Sequence, residues 1–222
     1  MLSAKPIERP DTLKDLAYKE IKNQLTAGRL APETIYSANN FAEILRVSRT
    51  PVREALLQLA AEGYLEFIEG RGFKVRQFTA KEIRDFFEVR RLIETYVAER
   101  LAGSLSDADL RGVEAAFKRM ERLAGEKDRA AFLDADREFH LALIARLDNP
   151  LLESIANHIR DRISVFALRA LIHEGRSEEV LREHREILDA FRSGDRKRAV
   201  RVVRDHLVRT ESYVLEAGTV RP

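Results

Sequence analysis

Three histidines and one aspartate stand where a helical protein ordinarily places hydrocarbon. In the segment containing "DREFHLALI", Phe132, Asp136, Phe139, His140 and Leu143 share one helical stripe. Asp136 and His140 therefore lie one turn apart on the apolar face. In "VLREHREILDAF" the stripe is Val180, His184, Ile187, Leu188 and Phe191. In "VRVVRDHLVRT" it is Ala199, Val202, Val203, His206 and Thr210. A buried polar group costs a few kcal/mol unless it is paired. A single inward histidine is ordinarily a satisfied core residue. Three of them with a carboxylate, on three helices, point instead to a divalent metal. The i, i+4 spacing of Asp136 and His140 lets two side chains grip one ion, and helical bundles build metal sites from facing helices. Three imidazoles and a carboxylate suit Zn²⁺, or Ni²⁺, Mn²⁺ or Fe²⁺ with water completing the shell. Convergence of the three helices is an expectation that spacing alone does not establish.

A second inward charge lies upstream. The stripe Ile83, Phe87, Arg90, Glu94, Val97 and Leu101 places Arg90 and Glu94 at apolar positions. They can pair with each other at i, i+4. Alternatively, Arg90 can offer its planar fork to a carboxylate ligand in a buried pocket. The other two histidines are bland. His158 lies off the stripe read as Leu152, Ile155, Ile159, Ile163 and Phe166, and His173 sits at a helix end before Gly175.

These side chains need helices to position them, and the chain supplies them. Capping boxes at Thr79–Glu82 and helix starts near Ser106, Asp128, Pro150, Ser177 and Asp195 predict six helices after residue 79. The first part of the chain reads differently. A helix opens at Thr12 with Asp15 as its capping-box partner and ends at Gly28, and "RLAPETIYSANN" reads as a connector. A short helix covers Ala38 to Arg46. A third begins at "VSRTPVREALLQL", with Ser48 as N-cap, Pro51 in the first turn, and an apolar stripe of Val52, Ala55, Leu56 and Leu59. "YLEFIEGRGFKVR" then predicts a β-hairpin. Three helices and a hairpin describe a winged helix-turn-helix, whose third helix enters the DNA major groove N-terminus first. That accounts for Arg49 and Arg53, which crowd a helix start where the macrodipole disfavours cations. They lie four apart on one face and can reach guanine edges or phosphates. Ser48 and Thr50 are small phosphate donors, and Arg71 sits at the wing tip.

The bounds agree with a DNA-binding protein of mixed charge. The 222-residue chain is 45% hydrophobic and 34% charged, with a net charge of only +2, so a basic face has to be local. There are no cysteines, which excludes disulfides and thiolate metal sites and makes the cytoplasm the default location. No apolar run is long enough to span a membrane, and the N-terminal segment has no signal-peptide core.

"FAEILRVSRTPVREALLQLAAEGYLEFIEGRGFKV" resembles the DNA-binding domain of the GntR family of bacterial transcription regulators. The resemblance implies base and phosphate contacts from Arg49 and Arg53 and a wing glycine at Gly72. Asn39 stands where the family usually carries an arginine, and Arg46 where it favours glycine in the turn. "VRRLIE", "DREFHLAL", "NPLL", "EHREILDA" and "RDHL" resemble the FCD effector domain, and six helices resemble its smaller, VanR-like subgroup. This resemblance implies a divalent metal held by Asp136, His140, His184 and His206. It also implies a small organic acid beside the metal, held in part by Arg90.

The expected architecture is mainly α: a winged helix-turn-helix over residues 1–78 and an all-α effector and dimerisation bundle over 79–222. The expected function is a ligand-responsive repressor that binds double-stranded operator DNA as a homodimer. Two other readings stay open: a metal-dependent enzyme with an accessory DNA-binding domain, and a metal sensor whose ion is structural or is itself the signal.

Overall fold

The computed structural model describes residues 10–32, 34–126, 128–170, 175–217 and 220–221. His173 lies outside them, as does the side chain of Phe166. The chain divides into two compact units, Met1–Arg76 and Gln77–Pro222.

The first unit is a winged helix-turn-helix. Helix α1 (Leu13–Thr26) is opened by a complete capping box: the Asp15 amide donates to Thr12 Oγ1 at 3.2 Å, and the Thr12 amide to Asp15 Oδ2 at 3.0 Å. Helix α2 (Ala38–Leu45) has an equivalent box from Ser37 and Asn40. It stops at Arg46, whose φ of 54° and ψ of 43° lie in the left-handed region. A Val47 amide bond to Ala42 O at 3.1 Å closes that turn. A non-glycine residue there costs roughly 1–2 kcal/mol. Helix α3 (Arg49–Ala61) buries Val52, Ala55, Leu56 and Leu59, the stripe read from the sequence. α1 and α2 pack on it, and Ile21, Leu25 and Phe41 complete the core. Ser48 occupies the N-cap position, but its hydroxyl makes no capping bond, contrary to expectation.

The wing is strand β2 (Leu65–Ile68) paired antiparallel with β3 (Gly72–Val75). The segment expected to be only a connector contains a further strand, β1 (Ile35–Tyr36), on the other edge of β3. Two residues are too few to show an alternating pattern. Gly72 is obligatory at this seam: its φ is 137°, and a Cβ there would sit 2.5 Å from Tyr36 O.

The second unit opens with strand β4 (Phe78–Thr79), which pairs in parallel with β5 (Val220–Arg221), a short ladder the sequence did not suggest. Between them run α4 (Ala80–Leu101), α5 (Asp107–Glu126), α6 (Arg129–Ile144), α7 (Pro150–Ala170), α8 (Arg176–Ser193) and α9 (Arg196–Glu216). A single 3₁₀ turn, Ala145–Leu147, follows α6. α4 lies along α9, and α5 packs against α6 and α8. α4 buries the whole predicted stripe, Arg90 and Glu94 included.

Of the stripe read on α7, Leu152, Ile159 and Ile163 pack on the core, and one member is corrected by the structure. Ile155 is 43% exposed, and the buried line is Ala156, Arg160, Ile163 and Ala167. The arginine on that line disguised it, because an apolar reading skips a cation.

Candidate functional site: a histidine cluster beside an arginine-lined cavity

α6, α8 and α9 bring the inward polar residues together. His140, His184 and His206 are 3%, 0% and 2% exposed. With Asp136 they offer four donor atoms, all within 4.8 Å of one another. His184 Nε2 lies 3.0 Å from both His140 Nε2 and Asp136 Oδ1. His140 Nε2 is 3.8 Å from the same oxygen.

The outer face of each ring explains the inner one. His140 Nδ1 meets Glu94 Oε2 at 2.7 Å, His206 Nδ1 meets Glu183 Oε2 at 2.6 Å, and His184 Nδ1 meets Val180 O at 2.8 Å. Each of these acceptors calls for a proton on Nδ1. Each Nε2 is therefore the ring nitrogen left to face inward, and those of His140 and His184 approach the same oxygen of Asp136. Burial pushes the His140 imidazolium well below its ordinary range, reinforced by Arg160, and pushes His206 down to about 4. The donor set, with each ring oriented from behind, fits a divalent metal.

The carboxylates behind the rings are ionised. Burial opposes this at Glu94, but Arg160, Arg90 and His140 outweigh it and hold the carboxyl well below the usual range. Asp136 is held low in the same way, against burial, by its bond to His184 and by His140 and Arg160. At Glu183 the His206 bond and Arg176 overcome burial and bring the pKa to about 2.

A small cavity of about 50 Å³ opens next to Asp136 and His206. Arg90, Arg137, Arg160 and Arg176 line it, with Ser164, Thr210 and Tyr213 among the other polar groups. The two roles open to Arg90 prove compatible. Its Nε donates to Glu94 Oε1 at 2.8 Å, while its Nη2 is buried without a hydrogen-bond partner.

Sequence reasoning missed Arg160, which is 4% exposed and donates from Nη2 to Glu94 Oε1 at 2.9 Å. It missed Glu183 and Arg176, which meet at 3.1 Å behind His206. It also missed the bond that His140 Nδ1 donates to Glu94. Glu183 precedes His184 by one residue, and nothing in the sequence says that it serves a different histidine.

In the first unit, Asn39, Ser48, Arg49, Thr50, Arg53 and Arg71 are all exposed, and Gly72 is half-buried at the base of the wing. Arg49 and Arg53 share the exposed start of α3. Arg46 stands on the turn just before them, also exposed.

Residues 13–75 match the family model described as bacterial regulatory proteins, gntR family, and residues 85–209 match the FCD domain. The gluconate operon transcriptional repressor of Bacillus licheniformis is 30% identical over 182 residues, covering 80% of this chain and 74% of that protein. The structure of E. coli McbR/YncC superposes with a TM-score of 0.80 at 21% identity, over 93% of this chain and 99% of that one. A metal-free FCD domain of TM0439 matches with a TM-score of 0.52 at 25% identity, over 64% of this chain and 97% of that one.

Proposed function

The chain belongs to the GntR family of bacterial regulatory proteins and carries an FCD domain, so it is a transcription regulator and not an enzyme; from that premise we propose that it is a repressor released from or held on its operator by a small carboxylic acid bound beside a divalent metal. The observation that carries this reading is the meeting of two sites. Three inward imidazole nitrogens and Asp136 lie within reach of one ion, and Arg90, whose buried Nη2 has no acceptor, lines the adjoining cavity.

Asp136, His140, His184 and His206 would hold the ion. Zinc suits this donor set best, with nickel, manganese and iron as alternatives. The ion would supply a Lewis-acidic point for a carboxylate oxygen. Glu94, Glu183 and Val180 O fix the three rings, so the donors are oriented before the ion arrives. Arg90 offers a second contact to the acid through its free Nη2. The six helices of the second unit suit the VanR-like subgroup.

Arg49 and Arg53 read bases or phosphates from the start of α3, with Asn39, Ser48 and Thr50 beside them. The unspent Ser48 hydroxyl is available for a phosphate. Arg71, with the tight turn at Gly72, carries the wing along the backbone. Two readers need a two-fold dimer to meet a palindrome. An exposed apolar stripe on α4, Val89, Leu92 and Tyr96, supports a dimer face in the second unit. No helix among the described residues is long and apolar enough to cross a membrane, and the place of action is the cytoplasm, where the DNA is. The acid acts by binding one dimer conformation better than the other.

A thermal-shift screen of small carboxylic acids on zinc-loaded and chelator-stripped protein tests the reading, because a ligand of the native state raises Tm by mass action. The expected result is a shift by an acid that requires the metal. A shift from metal alone, with no acid adding to it, would turn the site into a structural or metal-sensing one.

A further inference from the structure

We infer that Arg46, on the turn between α2 and α3, is a phosphate-binding residue that grips the DNA backbone beside the groove α3 enters, held there at the cost of a strained main chain. This rests on DNA reading by the first unit and adds a contact that Arg49, Arg53 and the wing do not supply.

Two observations carry the inference. The first is the backbone. α2 is closed by the Val47 amide, which donates to Ala42 O at 3.1 Å, and by the Arg46 amide, which donates to Glu43 O at 3.3 Å. Such a closure puts the residue between helix and exit at positive φ, a conformation glycine adopts freely and a long L side chain resists. The chain follows that rule at its other helix ends: α1, α3, α4 and α8 run out into Gly28, Gly63, Gly103 and Gly194, all at positive φ. Among the described residues Asp148 alone shares a positive φ with Arg46 without being glycine, and aspartate enters that region more readily than arginine. Nothing within the protein accounts for the exception. Arg46 is exposed, and among the described residues its guanidinium has no hydrogen bond or ion pair. Strained residues concentrate where a side chain clamps a ligand.

The second observation is where the cation stands. In a helix-turn-helix the first helix crosses the DNA backbone while the second reads the groove. Here that first helix is α2, and Ala38–Leu45 holds no lysine or arginine and one carboxylate, the exposed Glu43. Arg46 is the cation that this side of the motif brings to the phosphates. It stands three residues before Arg49, with the unspent Ser48 hydroxyl between them. A guanidinium holds a phosphate through two parallel N–H donors. A phosphate carries no sequence information, so the contact strengthens binding to every duplex alike.

The test measures Kd by fluorescence anisotropy over a salt series for the full-length protein, Arg46→Gly and Arg46→Lys. The probes are a duplex selected from random sequence by the parent protein and an unselected duplex of the same length. Arg46→Gly relaxes the turn, so Tm rises by a few degrees. Its Kd nevertheless rises roughly three- to tenfold on both duplexes, and the dependence of log Kd on log salt flattens by about 0.9 for each protomer bound. A variant that is more stable and binds worse has not failed to fold. Arg46→Lys keeps both charge and strain, and retains the parent Tm and salt dependence. Parent affinity in Arg46→Gly, a loss confined to the selected duplex, or a lysine variant whose salt dependence flattens as the glycine one does would overturn the phosphate assignment and leave DNA reading by α3 intact. A lower Tm in Arg46→Gly would remove the strain and the inference with it. A parent protein that binds neither duplex would overturn both the assignment and the reading beneath it.

Discussion

Glu94→Gln is the substitution on which the effector site turns. One carboxylate here serves three partners: Oε2 accepts from His140 Nδ1 at 2.7 Å, and Oε1 accepts from both Arg90 and Arg160. A glutamine has the same shape but only one acceptor oxygen and no charge. Its oxygen can hold the histidine or the arginines, not both. If it holds the arginines, an N–H faces His140 and the ring loses its orientation. If it holds the histidine, an N–H faces two buried cations. Loss of a hydrogen-bonded carboxylate behind a metal-ligating histidine typically costs ten- to a hundredfold in metal affinity, which is roughly 1.4–2.7 kcal/mol. The expected result for Glu94→Gln is zinc affinity lower by that factor, read by competition with a chromophoric chelator. Carboxylate binding should weaken with it, because the arginine pair loses its anchor. Zinc affinity within twofold of the parent protein, with unchanged Tm, would refute the reasoning that the ring orientation is set from behind.

His184→Ala should abolish zinc binding while the first unit still binds DNA; elemental analysis of the purified variant and a gel-shift assay check the two halves. Arg49→Ala should weaken binding to an operator selected from random duplexes by roughly 1–3 kcal/mol if the side chain reads a base. An unchanged Kd at physiological salt removes it from the contact list. Leu92, 66% exposed at the middle of the α4 stripe, is the point at which to probe assembly. Leu92→Glu should shift the protein toward monomer in sedimentation velocity without lowering the helix content seen by circular dichroism.

The regular parts of the molecule were legible because they are periodic. α4 shows it best: six positions spaced by three or four residues predicted a buried stripe, and all six are buried, charged ones included. The capping boxes at Thr12 and Thr79 were equally plain, since a hydroxyl and a carboxylate three residues apart satisfy each other wherever a helix begins. The convergence of Asp136, His140, His184 and His206 was legible for the opposite reason: these residues broke an apolar pattern. Arg160 escaped because it lies beside the stripe Leu152, Ile159 and Ile163, which does pack on the core, at a position where a cation gives no apolar signal. Ile155 looked like a core residue and is exposed, whereas Ala156, a weaker signal, is buried. Glu183 and Arg176 escaped because their partners, His206 and Thr210, lie on another helix, and pairing across helices leaves no trace in local spacing. The strands β1 and β4 were too short to carry a period, and their partners are distant in sequence. Ser48 was read as a cap from its residue type, but a hydroxyl at the right position need not be used as one.

The measurement closest to the central claim is operator affinity under four conditions, followed by fluorescence anisotropy: stripped protein, zinc alone, acid alone, and zinc with acid. The acid would be the best binder from the thermal-shift screen. A site in which metal and carboxylate complete each other predicts a change in operator Kd with both present that exceeds the product of the separate effects, and little response to acid without zinc. The same Kd in all four conditions, with zinc and acid both shown to be bound, would contradict a regulatory role for the site.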